Sequence, residues 1–393
     1  MTSPPVQPGP VLLALAGDVM LGRGIDQVLA HPVDPELREP CVDDARRYVE
    51  LAEQASGPIP RPVAPAWPWG EVSAMLGHLD IGARVINLET AITADGEFAR
   101  GKGIHYRISP RNIAALSAGR PDVCVLANNH VLDFGPRGLY DTLTALADAG
   151  IATAGAGLTR DHAYRPAVVD LDDGRHVIVA AVAAASSGVP GSWAAQPRRP
   201  GVWRIDDLSS PAASDQVAAI VSAHKRAGDV AVVSVHWGPN WGYGVADSEM
   251  VFAHRLIDAG IDVVHGHSCH HPRPLEFYRG RPILYGCGDL INDYEGIRGY
   301  QWYHPDLHLL FVVSVAPGGD SGVRMLPLRI RRMRLEPAGA AEAEWLCATM
   351  DHISRPFHTG IVAGPDGLLV AEHTRGLFAG HFARSTSPPH AHE

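Results

Sequence analysis

Six short apolar runs in this chain each finish on a carboxylate, an amide or an imidazole, and that recurrence constrains the fold more than any other feature. Residues 11–16 run into Gly17-Asp18-Val19-Met20, residues 84–88 end in Asn87-Leu88-Glu89, and residues 122–127 run into Asn128-Asn129-His130, with Asp133 close behind. The run at 229–235 ends on His236-Trp237-Gly238, and that at 261–264 enters His265-Gly266-His267-Ser268-Cys269-His270-His271. The last, at 283–285, leads to Gly286-Cys287-Gly288-Asp289. A short, continuous apolar run bounded by turn residues reads as a strand buried on both faces. In α/β sheets the C-terminal strand ends open onto one crevice, so these polar groups are expected to converge there. Oxygen and imidazole donors gathered in one place suit a divalent Mn, Fe or Zn ion rather than a thiolate site.

Between these runs the periodicity predicts helices near 110–118, 136–149, 212–227 and 248–259, and further strands at 151–154, 166–171 and 176–183. Two alternating segments, 307–315 and 323–333, are expected to pair antiparallel, ahead of a helix near 338–353. Strands alternating with helices, then closing antiparallel strands, describe an α/β fold with mixed sheets, two of them packed and covered by helices. One domain is expected over 11–335, followed at 336–393 by a C-terminal helix and a tail whose last residues are disordered. Residues 31–69, rich in proline and polar groups, read as a long surface excursion with a helix near 42–54. Loops of that length usually serve as lids or binding loops.

Composition narrows the partners. A hydrophobic content of 46% and a charged content of 19% are those of a globular chain. The formal net charge of −10 argues against nucleic acid, whose phosphates need a basic surface. It leaves room for a small anionic substrate, because a local cation or metal overrules the average field. Five cysteines without a CxxC pair read as reduced thiols, and the N-terminal residues lack a signal-peptide pattern. No run of 18 apolar residues occurs, so neither a membrane span nor an anchor is expected, and the cytoplasm is the expected location.

The motifs together resemble a known family. Asn-x-His after a strand, a lone His after a later strand, and Gly-His-x-x-His look like the dinuclear site of calcineurin-like metallophosphoesterases. The closer resemblance is to the CapA family of capsule and poly-γ-glutamate biosynthesis, which has Asp-x-Met and Asn-Leu-Glu where phosphoesterases have Asp-x-His and Gly-Asp. Both replacements are present, at Asp18-Val19-Met20 and Asn87-Leu88-Glu89, and the likeness extends over about residues 11–292. It implies a metallophosphoesterase-like αββα sandwich of two mixed sheets flanked by helices. It further implies Asp18, Glu89, Asn129, His236, His267 and His270 as ligands of one or two metal ions. His130 would then donate a proton to the leaving group, with Asp133 on its other ring nitrogen, while the ions activate a water. Met20 departs from the phosphoesterase pattern and leaves one ion short of a ligand, so the site holds either a single ion tightly or a second one weakly.

Around that set, Asn128 is expected to satisfy backbone groups of a turn, and His265 and His271 to support the ligands rather than join them. Arg23, Lys102 and Arg107 are candidate clamps for a carboxylate or phosphate, and Trp237 a wall of the pocket. The resemblance leaves two functions open. One is a metal-dependent hydrolase or acyl-transfer enzyme acting on a γ-glutamyl amide or a phosphoester. The other is a non-catalytic component that holds polyglutamate within a synthesis or export complex. Members of that second kind are typically anchored in a membrane, and a proton donor at His130 has no use in a mere binding site. Neither the pathway nor the oligomeric state follows from the sequence.

Overall fold

Alternate residues of the strand His176–Ala184 face two different hydrophobic cores, and this alternation organises the molecule. Successive side chains of a strand point to opposite sides of its sheet. Val177, Val179, Ala181 and Ala183 enter the main core between two sheets, whereas Ile178, Ala180, Val182 and Ala184 enter a second core under two helices. In this computed structural model, which describes residues 9–316 and 321–373, the chain is a mixed α/β sandwich of two large sheets flanked by helices.

The first sheet has ten strands, centred on Val11–Val19. Ile81–Leu88 lies parallel on one side of it, continued by Val123–Val125 and Ala152–Ala154. Leu307–Val315 lies antiparallel on the other side, and the short strand Asp289–Ile291 pairs parallel near its C-terminal end. The second sheet has seven strands, of which His176–Ala184, Val230–His236, Val263–His267 and Arg281–Leu284 run parallel. Helices Pro211–Ser222 and Asp247–Asp258 close its outer face, burying Val217, Val221, Phe252 and Leu256 against it. Among the described residues no helix is long and apolar enough to cross a membrane.

Several expectations are adjusted by local geometry. The run at 283–285 stops as a strand at Leu284, and the backbone then turns through Gly288 at φ 72°. The strand predicted to reach 333 ends at Ile330, because Arg332 and Met333 both adopt φ 54° in a turn that returns the chain as Leu335–Pro337. Pro110–Asn112 forms a tight turn of helix, capped by the Ser109 side chain, ahead of Ile113–Ser117. Segment 31–69 is more than a surface feature. Its helix Arg46–Ser56 buries Tyr48, Val49 and Ala52, which join Leu37, Ile59, Val63 and Trp69 in the main core. After helix Ala340–Ser354 the chain adds an unforeseen hairpin, Thr359–Ala363 with Leu369–His373, to the edge of the first sheet. The terminal stretch expected to be disordered lies outside the described residues.

Two neighbours on one helix test the layer assignment. Phe252 is 0% exposed and Val251 is 47% exposed. Phe252→Ala is expected to lower the unfolding free energy by about 3–5 kcal/mol and Val251→Ala by less than about 0.5 kcal/mol, as measured by urea denaturation. Similar losses for the two variants would refute the second core.

Candidate metal centre

The parallel strands of both sheets deliver their C-terminal ends to one place. Asp18 lies in register between Asn87 on one side and Asp289 on the other. The approach is close enough that a Cβ on Gly17 would sit 1.8 Å from the Gly288 carbonyl oxygen, so only glycine is accommodated there. Asn87 Nδ2 donates to Asp18 Oδ1 at 2.7 Å and to Glu89 Oε2 at 3.0 Å, tying the two carboxylates together. Asp18 Oδ2 is buried and has no hydrogen-bond partner.

From the second sheet, His236 and His267 meet in register with their Nδ1 atoms 2.8 Å apart. His236 Nε2 lies 3.1 Å from Asn129 Oδ1 and 3.9 Å from Glu89 Oε1, and His267 Nδ1 lies 3.8 Å from Asp18 Oδ1. His270 Nδ1 is 2.9 Å from Asp289 Oδ1. Two sets of donor atoms, Asp18/His236/His267 and Asp18/His270/Asp289, each fall within 4.8 Å of one another and can hold a metal ion. The two sets share Asp18.

The electrostatics of the bare cluster fit a cation. Burial, and then the neighbouring Asp289, push the Asp18 carboxyl up to about 7. Burial and the proximity of Asp18 push Glu89 well above its ordinary value. Burial holds His236 and His267 well below theirs, so both imidazoles are neutral, the form that binds metal. Burial also works against a charged His270, but attraction and a hydrogen bond from Asp289 outweigh it and raise its pKa. Three buried carboxylates thus face one imidazole that gains a proton readily. Buried charge is costly unless compensated, so protons neutralise Asp18 and Glu89 when nothing else does, and a divalent ion would take their place.

His130 stands beside this cluster, its Nε2 3.8 Å from Glu89 Oε1. Its Nδ1 lies 2.6 Å from Asp133 Oδ2, which also accepts the Tyr106 backbone N–H at 2.8 Å. Lys102 Nζ donates to the other Asp133 oxygen and to the Asn129 carbonyl. Burial and the Lys102 charge pull His130 down to about 4 against the attraction of Asp133. Asn128 holds the turn that presents this pair. Its Oδ1 accepts the N–H groups of His130 and Val131 at 3.0 and 2.9 Å, and its Nδ2 donates to Asn87 Oδ1 and the Leu88 carbonyl.

Other expected site residues lie elsewhere or act differently. Arg23, expected as a substrate clamp, is 4% exposed, and its guanidinium is spent on Asp293 and Glu39 and stacked over the Tyr48 ring. Arg107 donates to the Asp34 carbonyl and packs over Phe134. Trp237 is no pocket wall: it is fully buried in the second core, with Nε1 donating to the Tyr285 carbonyl at 2.8 Å. It follows His236 directly along the chain and so faces the opposite side of the sheet. His265 meets Ser234 Oγ, which also contacts His267 Nε2. His271 accepts the Gly242 N–H and stacks on Tyr303. Sequence reasoning gave no role to Asn87 or Asp289, although both stand in the same strand-end pattern as the assigned ligands. Tyr294, whose hydroxyl reaches His270 Nε2 at 3.4 Å and Met20 Sδ at 3.8 Å, carried no motif at all.

Comparison with known proteins places this geometry in context. A family model described as "Bacterial capsule synthesis protein PGA_cap" matches residues 12–294, which contain every residue of the cluster. A "Probable polyglutamine synthesis accessory protein" of Mycobacterium tuberculosis (strain ATCC 25618 / H37Rv) is 56% identical over 364 residues, 92% of this chain and 96% of that protein. The "PGA biosynthesis protein CapA" of Bacillus subtilis (strain 168) is 28% identical over 281 residues, 71% of this chain and 63% of that protein. The "Capsule biosynthesis protein CapA" of Bacillus anthracis is 24% identical over 240 residues, 61% and 55% of the two chains.

The reassignment of Arg23 has a direct test. Arg23→Met removes one partner of a buried ion pair and is expected to cost about 3–5 kcal/mol of stability, read as a lowered denaturation midpoint. Unchanged stability with weakened ligand binding would restore the substrate role.

Proposed function

Because the chain belongs to the bacterial capsule synthesis protein family described as PGA_cap, we propose that this CapA-like protein is a metal-dependent enzyme that hydrolyses or transfers γ-glutamyl amide bonds in polyglutamate chemistry. The observation that carries the reading is the pairing of a metal-competent cluster with a held imidazole, His130 Nε2 lying 3.8 Å from Glu89 Oε1. Asp18, Glu89, Asn129, His236, His267 and His270 would hold one or two ions of Mn, Fe or Zn, for which carboxylate, amide and imidazole donors are suited. When bound, such an ion supplies Lewis-acid polarisation of the scissile carbonyl and charge stabilisation as the bond is attacked.

The remaining chemistry falls to the chain's own groups. Asp133 takes the Nδ1–H of His130, which fixes the ring and leaves the Nε2 lone pair facing the cluster. From there His130 accepts a proton from the attacking water or amine and returns it to the departing amine, as a positioned general base and then acid. Burial works to raise the Asp133 pKa, but the charges and hydrogen bonds of His130 and Lys102 outweigh it and keep the carboxylate ionised. Lys102 therefore holds the base rather than clamping a substrate. The fold-related alternative, a phosphoester substrate, is weakened by Met20 at the position of a phosphoesterase ligand.

A second reading has one observation in its favour: the printed name of the M. tuberculosis relative says accessory protein. On that reading the pocket holds polyglutamate without cleaving it. His130→Ala separates the two. With manganese added and γ-glutamyl amides and phosphodiesters as substrates, the variant is expected to lose about 10²–10⁴-fold in turnover while its metal content stays at the wild-type level. A wild type inert on both substrate classes that nevertheless binds polyglutamate would establish the second reading.

A further inference from the structure

The buried Arg23 gathers three aromatic rings around it, and two of them bring hydroxyl groups to the edge of the cluster. Its guanidinium, fixed by Asp293 and Glu39, lies 3.9, 4.6 and 5.7 Å from the ring centres of Tyr48, Tyr106 and Tyr294. A desolvated cation over a ring face adds to the packing that holds each ring in place. Tyr106 sets its ring against His130, with centres 4.5 Å apart at 69°, and Tyr294 stands edge-on to His270, at 5.3 Å and 84°. The two hydroxyl oxygens meet at 3.0 Å. The pair thus stands between the held imidazole and a residue of the cluster.

This pair carries one hydrogen more than it uses. A phenol has one donor hydrogen, and its ordinary pKa of about 10 keeps that hydrogen in place at neutral pH. The bond between the two hydroxyls engages one of them. The other has only poor acceptors among the described residues: His270 Nε2 at 3.4 Å, which Asn240 Nδ2 already faces at 3.2 Å, and the Met20 thioether at 3.8 Å. Tyr106 is 2% exposed, whereas Tyr294 is only partly buried. The spare hydrogen therefore falls to Tyr294, the one that an incoming molecule can reach.

We propose that Tyr294 is a catalytic residue whose hydroxyl donates a hydrogen bond to the scissile carbonyl oxygen of a γ-glutamyl amide as negative charge gathers there. The proposal rests on the hydrolase or transferase reading of the site and adds a participant to that reaction. Attack by water or an amine on the carbonyl carbon moves the π pair of the C=O bond onto oxygen. The hydroxyl hydrogen stays on Tyr294 throughout. The pair returns as the C–N bond breaks, and the departing amine takes its proton from His130. A donor fixed before the reaction starts costs no reorganisation when charge develops. Tyr106, donating to the Tyr294 oxygen, keeps that hydroxyl on line and is a positioning residue. The surrounding charge suits a carbonyl rather than a carboxylate, because Asp293 and Glu39 outnumber the single Arg23.

Tyr294→Phe keeps the ring over Arg23 and removes only the hydroxyl. With manganese and γ-glutamyl para-nitroanilide, its kcat is expected to fall about 10²-fold while KM stays close to the wild-type value, since the bond strengthens only in the transition state. Tyr106→Phe is expected to lose less, again in kcat. Manganese content and the urea midpoint of both variants are expected to match wild type. Wild-type kcat in Tyr294→Phe, a loss confined to KM, or a loss of kcat that comes with lost manganese would overturn the role of Tyr294 and leave the enzyme standing. A wild type without turnover on the γ-glutamyl amide would overturn the proposed function and this inference with it.

Discussion

Three carboxylates buried at the ends of neighbouring strands, with too little positive charge among their own neighbours, are the constraint on which the site depends. Asp18, Glu89 and Asp289 lie in the interior, where an uncompensated charge is expensive. The nearest fixed cations are committed elsewhere, Lys102 to Asp133 and Arg23 to Asp293 and Glu39. What remains is His270 and the Asn292 amide on Asp289, and the Asn87 amide shared by Asp18 and Glu89. Burial therefore favours protons on the Asp18 and Glu89 carboxyls beside two neutral imidazoles, and a bound divalent ion would take the place of those protons.

The fold exists to make that concentration possible. One sheet supplies oxygen donors and the other supplies imidazoles, because each ends its parallel strands at the same edge of the sandwich. Strand register does the fine placement, setting Asp18 level with Asn87 and Asp289, and His236 level with His267. A register slip of one residue would turn every one of these groups to the opposite face, so the all-apolar strands beneath are as much a part of the site as its ligands. The buried Arg23–Asp293–Glu39 group extends the same logic outward, fastening segment 31–69 beside Tyr106 and Tyr294.

Much of this was legible in the sequence because it is local: apolar runs bounded by glycine announce strands, and the polar residue at each end announces what the strand delivers. That pattern led to the expectation that strand-end polar groups converge, whereas the choice of Asp18, Glu89, Asn129, His236, His267 and His270 as ligands came from the family resemblance. Partners across long stretches of chain were not legible. Arg23 looked like a free cation because Asp293 stands 270 residues away and carries no motif. Trp237 was misread although the two-residue period of a strand already sets it opposite His236. Asp289 was visible as a strand-end carboxylate, yet only its register beside Asp18 gives it a neighbour to act with. The terminal hairpin of Thr359–Ala363 and Leu369–His373 stayed hidden because its strands are short and half exposed, and so lack a clear apolar signature.

The central claim is that one buried cluster, contributed by both sheets, binds a divalent ion. X-ray absorption of the protein as purified, with its coordination shell refined, tests this most directly. Bound metal is expected in a mixed nitrogen and oxygen environment containing imidazole, lost when His236 and His267 are both replaced by alanine. Metal-free protein that acquires no such shell on adding manganese, zinc or iron would contradict it.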